Sequence, residues 1–157
     1  MLGTRSKNIT ESFEMTSAPA LIDFKYDGLR VQIHNNLGEV RLFTRNLDEI
    51  TKQFPEVLEF IKTNFSDISF VIDSECVGYD YKNQKFLPFQ VLSKRILTKK
   101  IEDVNYINII VKSFDILYLN NETLISKPYK QRREILEKLF LNRKMKQKIH
   151  FNTNSLK

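Results

Sequence analysis

The clearest periodic signal in the chain is a period of two. From Arg30 to His34, Val31 and Ile33 alternate with Arg30, Gln32 and His34; Asn35 to Gly38 supplies turn residues, and Glu39 to Thr44 alternates again. Successive strand side chains point to opposite faces, so this stretch predicts a β-hairpin with one apolar and one polar face. Ser69 to Tyr79 predicts a buried strand with Val71, Asp73, Glu75 and Val77 on one face and Phe70, Ile72, Ser74 and Cys76 on the other. Two carboxylates therefore share a face. Tyr106 to Leu119 is rich in β-branched and aromatic residues and predicts a central strand that ends at Asn120 and Asn121.

Helical spacing governs the remainder. Pro55 occupies a first helical position, Val57, Leu58 and Ile61 follow with Phe54 and Phe65 flanking, and the helix stops before Ser66 and Asp67. Phe89 to Leu97 is read as a helix after the polar turn Asp80 to Lys85. From Pro128 to Arg143, Ile135, Leu136, Leu139 and Phe140 recur at helical spacing, with Arg132, Arg133, Glu134, Glu137 and Lys138 in the remaining positions, as in an amphipathic helix packed on a sheet. The apolar run Ala20 to Phe24 halts at Lys25-Tyr26-Asp27-Gly28 and predicts a strand entering a tight turn, and a further strand begins around Ile149-His150-Phe151. Strands and helices are mixed rather than alternating, so the fold class is α+β, mostly antiparallel sheet with flanking helices.

Composition sets bounds on this picture. The chain has 157 residues, 41% of them hydrophobic, enough for one cored domain or a piece of one. Its 25 Lys+Arg against 19 Asp+Glu give a formal charge of +6, which suits an anionic partner such as a polynucleotide. A single cysteine, Cys76, offers neither an intramolecular disulfide nor a zinc site and points to a reducing compartment. No apolar run approaches membrane-spanning length and the first fifteen residues lack a secretory apolar core, so a soluble intracellular protein without a membrane partner is expected.

The segment Lys25-Tyr26-Asp27-Gly28-Leu29-Arg30 concentrates an amine, a carboxylate, a turn glycine and a guanidinium where a strand gives way to a turn. A lysine there could be a nucleophile, but its ordinary pKa of about 10.4 keeps it protonated, so neighbouring cations or desolvation must favour the free amine. Taken alone, a lysine beside an Asp-Gly turn is more often a solvated surface residue. Glu75, flanked by apolar residues, needs a partner if buried; Asp73 reads equally as a strand-end carboxylate without a ligand. His34 reads as a solvated strand residue. Lys94, Arg95, Lys99 and Lys100 form a basic cluster that fits either DNA phosphates or an exposed charged face.

The wider pattern is more specific. Asp23 through His34 resembles motif I of ATP-dependent DNA ligases. The similarity continues in order through Phe43-Thr44-Arg45-Asn46, then Phe70 to Glu75, which resembles motif III, and Lys112 to Asn120, which resembles motif IIIa. Between them, Leu87 to Arg95 is similar to a segment of cellular replicative and repair ligases of the eukaryotic and archaeal type, and Arg132 to Leu136 resembles their next helix.

The resemblance implies a partial nucleotidyltransferase domain, the ATP-grasp-like adenylation domain of a DNA ligase, over residues 1–157. It implies that Lys25 attacks the α-phosphate of ATP and holds AMP as a phosphoramidate. Asp23 stands where the family usually has a Glu that accepts a hydrogen bond from the adenine amino group. Arg30 and Glu75 match ribose- and phosphate-side contacts, and Glu75 could also help hold Mg2+. Arg45 matches a residue that contacts the adenylate phosphate or the nicked DNA, and Phe114 matches the aromatic that stacks on adenine. Nicked duplex DNA and ATP are the implied partners, of a monomer serving DNA replication, repair or recombination, in the nucleus if the source is eukaryotic and in the cytoplasm otherwise.

Motifs IV and V, a preceding DNA-encircling domain and a following oligonucleotide-binding fold are expected outside these residues. A second reading is therefore a fragment that binds ATP, AMP or DNA without turnover. RNA ligases and mRNA-capping guanylyltransferases share the lysine-Asp-Gly theme, but the Phe89 to Arg95 and Lys112 to Asn120 segments argue against both.

Overall fold

The computed structural model of the chain describes residues 5–16, 21–97, 107–141 and 151–152. Among them the elements run α1 (Ile9–Thr16), β1 (Leu29–Asn36), β2 (Glu39–Thr44), a 3-10 turn (Thr51–Gln53), α2 (Pro55–Phe65), β3 (Ser69–Asp80), β4 (Lys85–Phe86), α3 (Phe89–Leu97), β5 (Ile109–Leu119), β6 (Glu122–Thr123), α4 (Tyr129–Leu141) and β7 (Phe151–Asn152). The sheet runs β2-β1-β3-β5-β6, with β4 on β3 and β7 on β5. Every pairing is antiparallel except β5 with β7. The α+β, mostly antiparallel class expected from the sequence is the one observed.

The hairpin β1–β2 turns through Leu37 and Gly38, at φ 50° and 92°. Two consecutive left-handed residues give the turn whose twist matches the strands. Asn35, though buried, is satisfied: its Nδ2 donates to the carbonyls of Phe65 and Ile68 at 2.8 Å each, and its Oδ1 accepts from Gly38 N. Those bonds tie the hairpin to the end of α2. Asn120 and Asn121, at φ 40° and 70°, make a second two-residue turn. The strand stop read at these residues is thus a hairpin returning through β6.

The apolar positions of the hairpin and of β3 face one core. Val31, Ile33, Val40, Leu42, Ile72 and Cys76 pack there with Phe54, Val57, Phe60, Ile61 and Phe65 of the α2 region, Leu92 of α3 and Leu136 of α4. Full burial of each large side chain contributes roughly 1.5–3 kcal/mol. The opposite face of β1 and β3 carries Arg30, Gln32, Asp73 and Glu75 in register, Arg30 opposite Glu75 and Gln32 opposite Asp73.

Four sequence expectations are corrected. Residues 21–26 form neither strand nor helix: β1 already pairs with β2 on one edge and β3 on the other, and the chain before Gly28 leaves the sheet; Ala20 lies outside the described residues. The central strand starts at Ile109, leaving Ile107 and Asn108 out of it, and Tyr106 is also outside the described residues. Arg133, assigned to the polar positions of its helix, is buried. Arg95, assigned to a basic cluster, is buried as well, its guanidinium on Glu56 and the Gln53 carbonyl and 4.7 Å from the Phe54 ring centroid. Lys99, Lys100, Arg143 and the start of the last predicted strand, Ile149-His150, lie outside the described residues.

Candidate active site

The loop before β1 is pinned at two points. Asp27 accepts a hydrogen bond from Phe89 N at 3.2 Å, so the carboxylate of the Lys-Tyr-Asp-Gly segment holds the first turn of α3. Gly28 runs against β3 so closely that a β-carbon there would sit 2.9 Å from Glu75 Cγ and 3.1 Å from the Cys76 carbonyl carbon, nearer still to its oxygen. The turn glycine is required by this approach; Gly38 is the glycine required by its dihedral.

Just ahead of these pins the loop forms one wall of a cavity of about 360 Å³. Asp23, Phe24, Lys25 and Tyr26 supply that wall, Glu75 of β3 and Lys112, Ser113 and Phe114 of β5 supply the floor, and Tyr129 and Arg133 of α4 close the far side. The volume lies within the ~300–1,000 Å³ typical of small-molecule sites.

Phe114 stands at an irregularity in the sheet. Asp73 faces Asp115 while Ser74 faces Ser113, so Phe114 is an extra residue in β5, a β-bulge. Strand partners cover β5 at Val111–Lys112 (β7) and Tyr118–Leu119 (β6). Between them α4 supplies the donors: Tyr129 Oη to the Phe114 carbonyl at 2.7 Å, and Arg133 Nη1 to the Ser113 and Phe114 carbonyls at 3.2 Å each. Arg132 grips the next residue, Asp115, with Nε and Nη2 at 2.8 and 2.9 Å. Three consecutive residues of the bulge are thus held by one helix, which is why two arginines sit against the sheet.

Glu75 sits between charges of both signs. Burial pushes its carboxyl up to about 7, against the pull of Lys25, the Gly28 amide and Arg30, with Asp27 adding to the push. Lys112, directly opposite Glu75 on β5, is held below its ordinary value by burial, opposed by Asp23. Lys25 itself is exposed.

Of the residues singled out from sequence, Asp23, Lys25, Glu75 and Phe114 therefore meet in one cavity. Arg30 is next to it: cross-strand from Glu75, with its guanidinium on Asp73 at 2.6 Å. Asp73 also accepts from Gln32 Nε2 at 3.2 Å and is 4% exposed, so its partner is Arg30 and the reading of a strand-end carboxylate without one is replaced. Arg45 lies on the exposed turn after β2, outside the cavity lining. His34 is half-buried rather than solvated, bonded through Nε2 to Gln32 Oε1 at 2.8 Å and edge-on to Phe43; burial lowers its pKa, opposed by Asp73.

Comparison with known proteins shows the family and the fold. Residues 1–156 match the family described as ATP dependent DNA ligase domain. The chain belongs to that family. It is 43% identical over 141 residues to a DNA ligase of Nanoarchaeum equitans, covering 88% of this chain and 25% of that protein. Solved structures share the fold: the ligase domain of M. tuberculosis LigD, with TM-score 0.63 and 23% identity over 78% of this chain and 37% of that one, and a mycobacterial DNA ligase D complexed with ATP and MES, with TM-score 0.62 and 24% identity over 77% and 36%. The chain spans about a quarter of the length of the relatives it matches.

Within this ligase domain six cavity residues carry no role assigned from sequence, Phe24, Tyr26, Lys112, Ser113, Tyr129 and Arg133, and three of these bring a charge or a phenol from β5 and α4: Lys112, Tyr129 and Arg133. Arg133 had a signal, since it precedes Leu136 by three and Phe140 by seven and so falls on the apolar stripe of α4. Tyr129, four residues earlier, shares that stripe. Lys112 interrupts an apolar run, Ile109 to Val111, at a position whose neighbours are set only by pairing with β3.

Proposed function

We propose that the cavity is the adenylation site of an ATP-dependent DNA ligase and that Lys25 is its nucleophile. The observation that carries this is the meeting of Asp23, Lys25, Glu75 and Phe114, from three separate stretches of chain, around one cavity of ligand size. The ATP named in the mycobacterial structure supports the choice of ligand.

In this reading the free amine of Lys25 attacks the α-phosphorus of ATP, a nitrogen–phosphorus bond forms, and the bond to the β-phosphate breaks to release pyrophosphate. Phe114 stacks on the base, Asp23 accepts from its amino group, and Arg30 and Glu75 lie on the ribose and phosphate side. Arg45, exposed on its turn, would meet the adenylate phosphate or a phosphate of the nicked DNA, either of which a guanidinium can hold. The parent protein would then pass AMP to a 5′-phosphate of nicked duplex DNA and join it to the adjoining 3′-hydroxyl, as a monomer, in replication, repair or recombination.

Among the described residues no group of three or more His, Cys, Asp or Glu is placed to hold a metal ion. Two carboxylates, Asp23 and Glu75, line the cavity, and Mg2+ uses one or two carboxylates together with substrate phosphates. Glu75 is the residue that would contribute, and the ion, when bound, neutralises phosphate charge.

Labelled ATP with magnesium, followed by denaturation, tests the reading. Wild type should retain covalent AMP mapped to Lys25, and Lys25→Ala should retain none. Label surviving in Lys25→Ala, or labelling by GTP in place of ATP, would overturn it.

A further inference from the structure

Asp23 and Lys112 carry opposite charge, line the same cavity and influence each other electrostatically, with the Asp23 carboxylate opposing the effect of burial on the Lys112 amine. Yet neither is among the ion pairs formed by the described residues. The Lys112 ammonium rests over two aromatic faces instead, 5.2 Å from the Tyr26 ring centroid and 6.0 Å from that of Phe86. Tyr26 and Phe86 meet edge-on at 5.7 Å, so this platform is itself fixed. Aromatic faces attract the charge, but an ammonium has three N–H donors, and ring contacts leave them free for a ligand. Phe114, the stacking surface, is two residues from Lys112 on the same strand.

Given the reading of this cavity as an ATP site, on which the inference rests, we infer that Asp23 and Lys112 read the edge of the base together. The carboxylate accepts from the exocyclic 6-amino group, and the ammonium donates to a ring nitrogen beside it. Adenine presents that amino donor between two acceptors, N1 and N7, so a carboxylate and an ammonium set apart in one cavity match it on either edge. Guanine carries a carbonyl oxygen at position 6, which would face the carboxylate.

The test uses wild type, Lys112→Met, which keeps the length without the charge, and Lys112→Gln, which keeps a donor should the first variant fold poorly. Binding, and KM and kcat for Lys25 labelling, are measured with ATP, 1-deaza-ATP, 7-deaza-ATP and GTP. Wild type should bind one of the two deaza compounds about tenfold more weakly than ATP, the loss expected for one hydrogen bond from a charged donor. Lys112→Met should bind ATP about tenfold more weakly, with kcat nearly unchanged, and should no longer distinguish ATP from that deaza compound; Lys112→Gln should fall between. A deaza penalty that persists in Lys112→Met, or none in wild type, overturns the inference while labelling at Lys25 leaves the adenylation reading standing. A wild type that neither binds ATP nor takes label overturns both.

Discussion

Gly28→Ala is the sharpest perturbation the site offers, because it adds one carbon atom at the point where the nucleophile loop meets the sheet. Carbon atoms pack best at about 3.5–4.0 Å, and the new Cβ would lie 2.9 Å from Glu75 Cγ and 3.1 Å from the Cys76 carbonyl carbon. Cys76 is in the middle of β3, paired on both sides, so its backbone cannot retreat. The loop must move instead, by on the order of 1 Å. Overpacking of this kind costs about 1–3 kcal/mol, while a ~1 Å misplacement of a reacting group costs roughly a hundredfold in rate. Lys25, three residues away on the loop that moves, should therefore take AMP about a hundredfold more slowly in Gly28→Ala. A thermal melt read beside the single-turnover labelling rate separates the two effects. A variant that melts as wild type does and adenylates at the wild-type rate would refute the claim that close approach is what the glycine provides.

Other consequences follow from the same geometry. Because the folded state raises Glu75 above its ordinary value to about 7, this group favours folding most below about pH 4.5, and that contribution is lost as pH climbs to about 7. Glu75→Gln should then melt with wild type in acid but a few degrees higher at pH 8, by about 1 kcal/mol after discounting for the solvent that reaches the carboxylate, while losing adenylation; an equal melting difference at both pH values would count against burial as the cause. Tyr129→Phe removes the hydroxyl that donates to the Phe114 carbonyl and should cost about 1 kcal/mol and raise KM for ATP severalfold, an effect that should vanish in a Phe114→Leu background; additive losses would show that Tyr129 acts elsewhere. Arg95→Met strands Glu56 and should cost about 2 kcal/mol in a denaturant titration, leaving the salt dependence of DNA binding unchanged; a shallower salt slope would restore Arg95 to a DNA-facing role.

Much of this protein was legible in its residue pattern. The alternation at Val31 and Ile33, the proline at position 55 and the recurrence of Ile135, Leu136, Leu139 and Phe140 set the β1–β2 hairpin, α2 and α4, because burial of one face imposes its period on the sequence. The motif order brought out Asp23, Lys25, Glu75 and Phe114 without any coordinates. Local pattern failed where a partner across the fold decides the outcome. Residues 21–26 have the composition of a strand, but the edges of β1 are already taken. Arg95 and Arg133 look like surface charge, yet each is drawn inward, one by Glu56 and the Gln53 carbonyl, the other by the Ser113 and Phe114 carbonyls, between the stretches of β5 that β7 and β6 cover. Lys112 became a site residue only when β5 was set in register with β3 opposite Glu75. Sequence determines which face of an element is apolar; which polar groups are brought together is decided by strand register and bulges, and these depend on residues far apart in the chain.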